Sequence, residues 1–307
     1  MMEQCQLRFS RKLIKGISSF LLFILINNTA GCQHSGAAVE GTPIDFKVQL
    51  PTETLVEGGF FQVLVTTEVP VRTVSAKFMG RDISFYPIDK KNYGALVGVD
   101  VDYKTGENAF EITVEGNEGR ATQTTTLNVV AGEFPSETLS VQPRKVQPLK
   151  KDLPRIKREM ELVRAAYASS ASKRYWDPPL VIPVEDVVTS IFGSKRVYNG
   201  IKQSAHYGTD IRAKVGTPIK APISGRVAMA KNLFYTGNTV ILDHGFGFFT
   251  VYAHMSKMQV KMGQEIKKGQ KIGLSGATGR VSGPHLHWGA QLHGVKIDPM
   301  RLVENLK

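Results

Sequence analysis

Ile44, Phe46, Val48 and Leu50 alternate with Asp45, Lys47 and Gln49, a period of two that suits an extended strand with one face buried. Runs of the same kind return at residues 61–65, at Val74, Ala76 and Phe78, at Val97, Val99, Val101 and Tyr103, at Phe110, Ile112 and Val114, and at Leu127 and Val129. Gly58-Gly59, Lys104-Thr105-Gly106 and Gly116-Asn117-Glu118-Gly119 supply turns between them. No helical pattern interrupts the series. Short strands at this spacing predict an immunoglobulin-like β-sandwich over residues 43–131. No catalytic constellation falls in that stretch, so its expected role is to space, dock or cover the C-terminal part of the chain.

Residues 132–179 read as a linker containing one helix. The first part, 132–149, is polar with several prolines. Ile156, Met160, Val163 and Tyr167 then recur at helical spacing behind Pro154, and the pattern ends near residues 169–172. The aliphatic stripe is expected to pack rather than to bind a ligand. Trp176-Asp177-Pro178-Pro179 breaks the helix and introduces a second domain over residues 180–303. Strand patterns and glycine turns resume there. Val240 and Leu242 lead into Asp243-His244-Gly245-Phe246-Gly247, and Phe249, Val251 and Tyr252 lead out, which reads as a hairpin. Val260, Ile266 and Ile272 form a further series punctuated by Gly263, Gly269 and Gly273. The whole chain is therefore expected to be mainly β, with an antiparallel C-terminal domain.

The front end, residues 1–31, reads as an export signal. Arg8, Arg11, Lys12 and Lys15 precede an apolar run at 20–26, which Asn27 and Asn28 end. That run is far short of the ~20 apolar residues that span a bilayer, which favours a signal segment over a membrane helix. Thr29-Ala30-Gly31-Cys32 resembles a bacterial lipoprotein box, with Thr29 where the pattern prefers leucine. Lipidation at Cys32 would anchor the mature protein to a membrane in the cell envelope, with polar residues 33–41 as a tether. Ordinary cleavage near Ala30 is the alternative. Cys5 and Cys32 are the only cysteines, and Cys5 leaves with the signal, so no disulfide is expected. The net charge is +12, and without residues 1–31 the chain keeps 35 bases and 26 acids, or +9. A basic exported protein is drawn to lipid headgroups and to wall polymers such as peptidoglycan. Nucleic acid is not an expected partner in that compartment, and no motif for it is present.

Histidine is scarce, seven in 307 residues, and four of the seven fall between 254 and 293. His285 and His287 are two apart, so on a strand they share a face, with Leu286 and Trp288 opposite. His206 and Asp210 are four apart and on extended chain converge as well. His254 follows Tyr252 at the end of a hairpin strand and can reach the same cleft. Imidazoles with one carboxylate suit zinc, and three protein ligands leave a fourth position for water, the catalytic arrangement. His244 and His293, both in glycine turns, read as ordinary surface or turn residues, and His34 lies in the tether.

The stretch from Phe192 to Pro299 resembles the lysostaphin/LytM-type zinc metallopeptidases. The resemblance is carried by Ser190-Ile191-Phe192-Gly193, His206-Tyr207-Gly208-Thr209-Asp210-Ile211, Gly216-Thr217-Pro218, Gly225-Arg226-Val227, Asp243-His244-Gly245, Tyr252-Ala253-His254-Met255, Gly263-Gln264, Gly269-Gln270, Gly276-Ala277-Thr278-Gly279 and Gly283-Pro284-His285-Leu286-His287-Trp288. Met255 stands where leucine is usual, and Gly289-Ala290 replace the common Glu-Val. The resemblance implies a peptidoglycan endopeptidase. It implies one zinc ion per chain on His206, Asp210 and His287, with His254 and His285 as catalytic histidines. Zinc would then activate a water, and the histidines would handle its proton and that of the leaving amine. The alternative is a wall-binding protein or an activator of other wall hydrolases. Relatives of that kind have lost ligands, whereas all five positions are filled here.

Overall fold

The computed structural model describes residues 24–25, 44–50, 54–117 and 119–306. Cys32, the tether and, apart from residues 24–25, the export segment lie outside the described residues. The architecture is mainly β, as the sequence predicts.

Two five-stranded sheets form the sandwich. In one, Phe46–Leu50 joins Phe60–Thr67, then Asn92–Gly98, then Tyr86–Pro87, with Ile24–Leu25 at the edge. In the other, Thr54–Val56 precedes Arg120–Val130, Gly106–Glu115, Thr73–Phe78 and Arg81–Ser84. Alternation puts Val48, Val63, Val65, Ala76, Ile112 and Leu127 between the sheets. Phe61, Phe78 and Phe110 meet edge to face there, with centroids 5.6–5.7 Å apart, each contact adding about 0.5–1.5 kcal/mol beyond its buried area. The strand expected to run on through Val101 and Tyr103 instead ends at Gly98. The Asp102 N–H donates to Asp100 Oδ1 at 3.0 Å, and this local turn outcompetes further pairing.

The C-terminal domain is built on an eight-stranded sheet whose ladders are all antiparallel. Its centre runs Thr209–Arg212, His285–Leu292, Phe248–Met255, Gly237–Gly245, Gly225–Leu233. The expected hairpin turns at Phe246-Gly247, both with positive φ (50° and 75°), the two-residue geometry that matches strand twist. Ile211, Leu242, Tyr252, Leu286 and Trp288 fill the core beneath.

The linker is more structured than its composition suggests. Ser136–Leu139 pairs in parallel with Lys195–Tyr198, which pairs in turn with Lys202–Ala205. Four polar-to-apolar residues are too few to announce a strand. The helix spans Leu153–Ala168, with Pro154 in its first turn and Ser169 as its cap. Its stripe divides. Val163, Ala166 and Tyr167 pack on Met229, Leu233, Ile241 and Phe249, whereas Met160 is 59% exposed.

The sandwich docks on the second domain through an apolar seam. Tyr86 meets Trp176 at 5.4 Å, Trp176 meets Phe248 at 6.0 Å, and Leu96, Val295, Ile297 and Leu302 belong to the same cluster. His293 sits in a turn, as expected, and its Nε2 accepts the Ser84 N–H at 3.1 Å across the seam. His244 departs from the surface reading. It is wholly buried, with Nδ1 donating to the Ser224 carbonyl at 2.7 Å and Nε2 bonded to Thr250 Oγ1 at 2.8 Å.

Burial pushes both His244 and His293 down from 6.5 to about 4. The unfolded chain binds a proton at each ring near pH 6.5, the folded chain only near 4. Stability is therefore complete above about pH 6.5 and is lost as pH falls toward 4, by at most about 1.4 kcal/mol per pH unit per ring. Urea unfolding between pH 7 and 4.5 measures this loss. His293→Gln is expected to flatten the slope; a slope identical to wild type would remove His293 from the account.

Candidate metal centre and active site

Asp210 on Thr209–Arg212 stands directly across from His287 on His285–Leu292, and Arg212 stands across from His285. This register, with the pleat, puts both histidines on one face, while Leu286 and Trp288 turn into the core. His206 arrives differently from the extended spacing expected of it. It lies just past Lys202–Ala205, and the chain bends at Tyr207-Gly208 before re-entering the sheet. Gly208 permits the bend to close on the site, since a Cβ there would lie 2.6 Å from His287 Cε1.

Three atoms converge. His206 Nε2 is 3.1 Å from Asp210 Oδ1 and 3.0 Å from His287 Nδ1, and His287 Nδ1 is 2.9 Å from Asp210 Oδ1. Together they form a group that could hold a metal ion. His206 Nδ1 lies 2.9 Å from the Ile191 carbonyl. A proton placed there leaves Nε2 with its lone pair facing the carboxylate, an arrangement that repels unless a cation sits among the donors. Metal–ligand bonds of about 2.0–2.2 Å at tetrahedral angles place ligand atoms roughly 3.3–3.5 Å apart, so a spread of a few tenths of an ångström seats a small divalent ion. The donor set fits. Burial opposes ionisation of Asp210, but the adjacent His206 and His287 rings favour its charged form and hold the carboxyl well below the usual range.

His285 and His254 flank this cluster. His285 Nδ1 donates to the Gly283 carbonyl at 2.9 Å, and its Nε2 is 3.6 Å from Asp210 Oδ1. His254 Nδ1 donates to the Thr278 carbonyl at 2.8 Å, with ring centroids 4.9 Å from His285 and 5.9 Å from His287. Each ring thus commits one proton to the backbone and keeps a lone pair for the cleft. Burial lowers both, His254 further because His285 and His287 lie beside it. His254 also adopts φ 62°, the left-handed region that a branched or ring-bearing residue enters at a cost. All five residues singled out in the sequence therefore meet in one place.

Arg196 is the participant that motif reading missed. It lies on Lys195–Tyr198, is 8% exposed, and its Nη2 donates to Asp210 Oδ2. A charged residue at an inward position of a strand was its signal, too weak in so short a strand.

Residues 204–299 match the model of peptidase family M23. The chain carries an M23 peptidase domain. Over 115 residues it is 43% identical to the peptidoglycan DD-endopeptidase ShyA of Vibrio cholerae, a match covering 37% of this chain and 27% of that relative. The cell division protein DipM of Caulobacter vibrioides is 39% identical over 122 residues, covering 39% and 18%. The matched stretch thus spans about a quarter or less of these relatives' own length. A solved Pseudomonas aeruginosa structure named for peptidase M23 superposes with a TM-score of 0.61 at 29% identity, covering 81% of this chain and 94% of its own. That likeness extends well beyond the M23 domain.

A groove of about 620 Å³ runs past His206, His254 and His287 of the M23 domain. Ile156, Met160 and Val163 of the helix form one wall. Arg280 stacks over Tyr198 at 4.2 Å and Tyr235 at 5.0 Å. Lys296 lies 3.7 Å over the Tyr207 ring, whose hydroxyl donates to Asp102 Oδ2 of the sandwich at 2.7 Å. The sandwich therefore touches the rim of the site.

Proposed function

We propose that this protein is a zinc-dependent endopeptidase that hydrolyses peptide cross-links of peptidoglycan, one zinc ion per chain. The observation that carries the reading is the His206–Asp210–His287 donor cluster with two further imidazoles turned toward it. The relatives named as peptidoglycan endopeptidases support the substrate, as does the groove, where Arg164, Arg280 and Lys296 offer positive charge to acidic peptide stems.

His206, Asp210 and His287 would hold the zinc ion, which when bound would supply Lewis-acid polarisation to a water and to the scissile carbonyl. Burial disfavours the charged form of His285, and its Nε2 faces the donor cluster while Nδ1 is held by Gly283, so it is the ring placed to take the water's proton. The resulting imidazolium would lie 3.6 Å from Asp210 Oδ1, the oxygen shared with the metal, and would pass its proton to the departing amine. His254, fixed through Thr278, orients the reacting groups from the other side. The apolar wall of Ile156, Met160 and Val163 limits water around the peptide.

Digestion of purified wall material with and without a chelator tests this, with products read by mass spectrometry. Cross-linked dimers are expected to fall to monomers, to persist with chelator, and to fall again when zinc is restored. Unchanged dimers, or cleavage of the glycan strands instead, would refute it.

We also place the mature protein at the cell envelope, anchored through a lipidated Cys32. Fractionation of wild type and Cys32→Ala cells is expected to show the first with membranes and the second released. If both are soluble, simple secretion replaces the anchor and the peptidase reading stands.

A further inference from the structure

The metal centre has an outer support that comes from the connector, far from the M23 match at residues 204–299. Glu137 lies on Ser136–Leu139, directly beside Arg196 in the parallel ladder. Its Oε2 accepts from Arg196 Nε at 3.1 Å, and its Oε1 accepts from the Ser190 hydroxyl at 2.6 Å. Arg196 Nη2 donates to Ser190 Oγ at 2.8 Å and to Asp210 Oδ2. Asp210 thus divides its carboxylate: Oδ2 goes to Arg196, and Oδ1 faces His206 and His287.

We infer that Glu137 is a positioning residue of the metal centre, acting through Arg196 on Asp210. Its place has two effects. The first is geometric. Arg196 is pinned at both ends of its planar fork, so the plane of Asp210 is fixed with Oδ1 turned to the metal. The second is electrostatic. A guanidinium shared by two carboxylates neutralises neither, so Asp210 keeps negative charge to offer a cation. With Glu137 neutral, Arg196 becomes the full counter-ion of Asp210 and competes with the metal for it. The helix-bearing connector is then part of the metal site, and a boundary drawn at residue 180 separates the ligands from their support. This inference rests on the metal-site part of the proposed function, not on its substrate.

The test is zinc affinity of the full-length protein, measured by competition with a chromophoric chelator. Glu137→Gln keeps the side chain's volume and is expected to weaken zinc binding about 10- to 100-fold, the range for lost outer partners. The melting temperature of the zinc-free protein should change little, and at saturating zinc the KM for wall peptides should stay near wild type. In an Arg196→Gln background, Glu137→Gln should add nothing, because the effect travels through the guanidinium. Ser190→Ala removes a hydroxyl that bridges Glu137 and Arg196 and also lies 3.2 Å from His206 Nδ1, so its expected loss of affinity should persist in part in the Arg196→Gln background. Affinity within twofold of wild type in Glu137→Gln would overturn the inference, as would an equal loss with and without Arg196. Inactivity of wild type on wall peptides would sink only the substrate reading, whereas failure of wild type to bind zinc would sink both the metal site and this inference.

Discussion

Asp210→Ala and His287→Ala proteins are expected to purify without their metal ion. Each substitution removes one of three converging donors, and loss of even an outer partner costs about 10- to 100-fold in affinity, so loss of a donor should exceed that range. The two variants differ in a second respect. Asp210→Ala strips Arg196 of one of its two carboxylates and leaves a largely buried guanidinium leaning on Glu137 alone; breaking a buried pair in this way costs up to about 3–5 kcal/mol. His287→Ala leaves no stranded charge. Metal analysis by atomic emission, run beside thermal melts, separates the two effects. A full complement of metal in either variant means that the donor set is wrongly assigned.

His285→Ala is expected to behave in the opposite way. It should keep most of its metal, because His285 is not among the three converging donors, yet turnover should fall on the order of a hundredfold or more, the usual cost of a lost acid–base group. His285→Gln should not rescue it, since an amide cannot carry the proton. Near-normal turnover with either substitution would move the proton-transfer role to another group.

How much of the fold and the site was legible in the sequence depended on the range of the interactions. Period-two runs such as Phe110, Ile112 and Val114 report a buried face directly, and the structure places them on inner strands. The His285-x-His287 pair shares a face because the pleat makes it so. Pairing across the sheet then brings Asp210 opposite His287, and no local pattern could specify that register. The bend at Tyr207-Gly208 replaced the straight strand that spacing alone suggested for His206 and Asp210. Glu137 and Arg196 stayed hidden because their partnership joins two short strands 59 residues apart, each too brief to declare itself. His244 misled in the other direction. Its glycine neighbours signal a turn, but tertiary packing carries the ring into the core, where Ser224 and Thr250 satisfy it.

The left-handed backbone at His254 sets two pressures on that position against each other. Glycine or asparagine would occupy φ 62° with less strain than histidine does, and neither would bring a buried imidazole that must stay neutral. Drift toward either would relieve the backbone but forfeit the Nδ1 hydrogen bond to the Thr278 carbonyl and the imidazole that the proposed chemistry uses. On the proposed function, the strain at His254 is retained for the chemistry of the cleft, and relieving it would trade turnover for a less strained backbone.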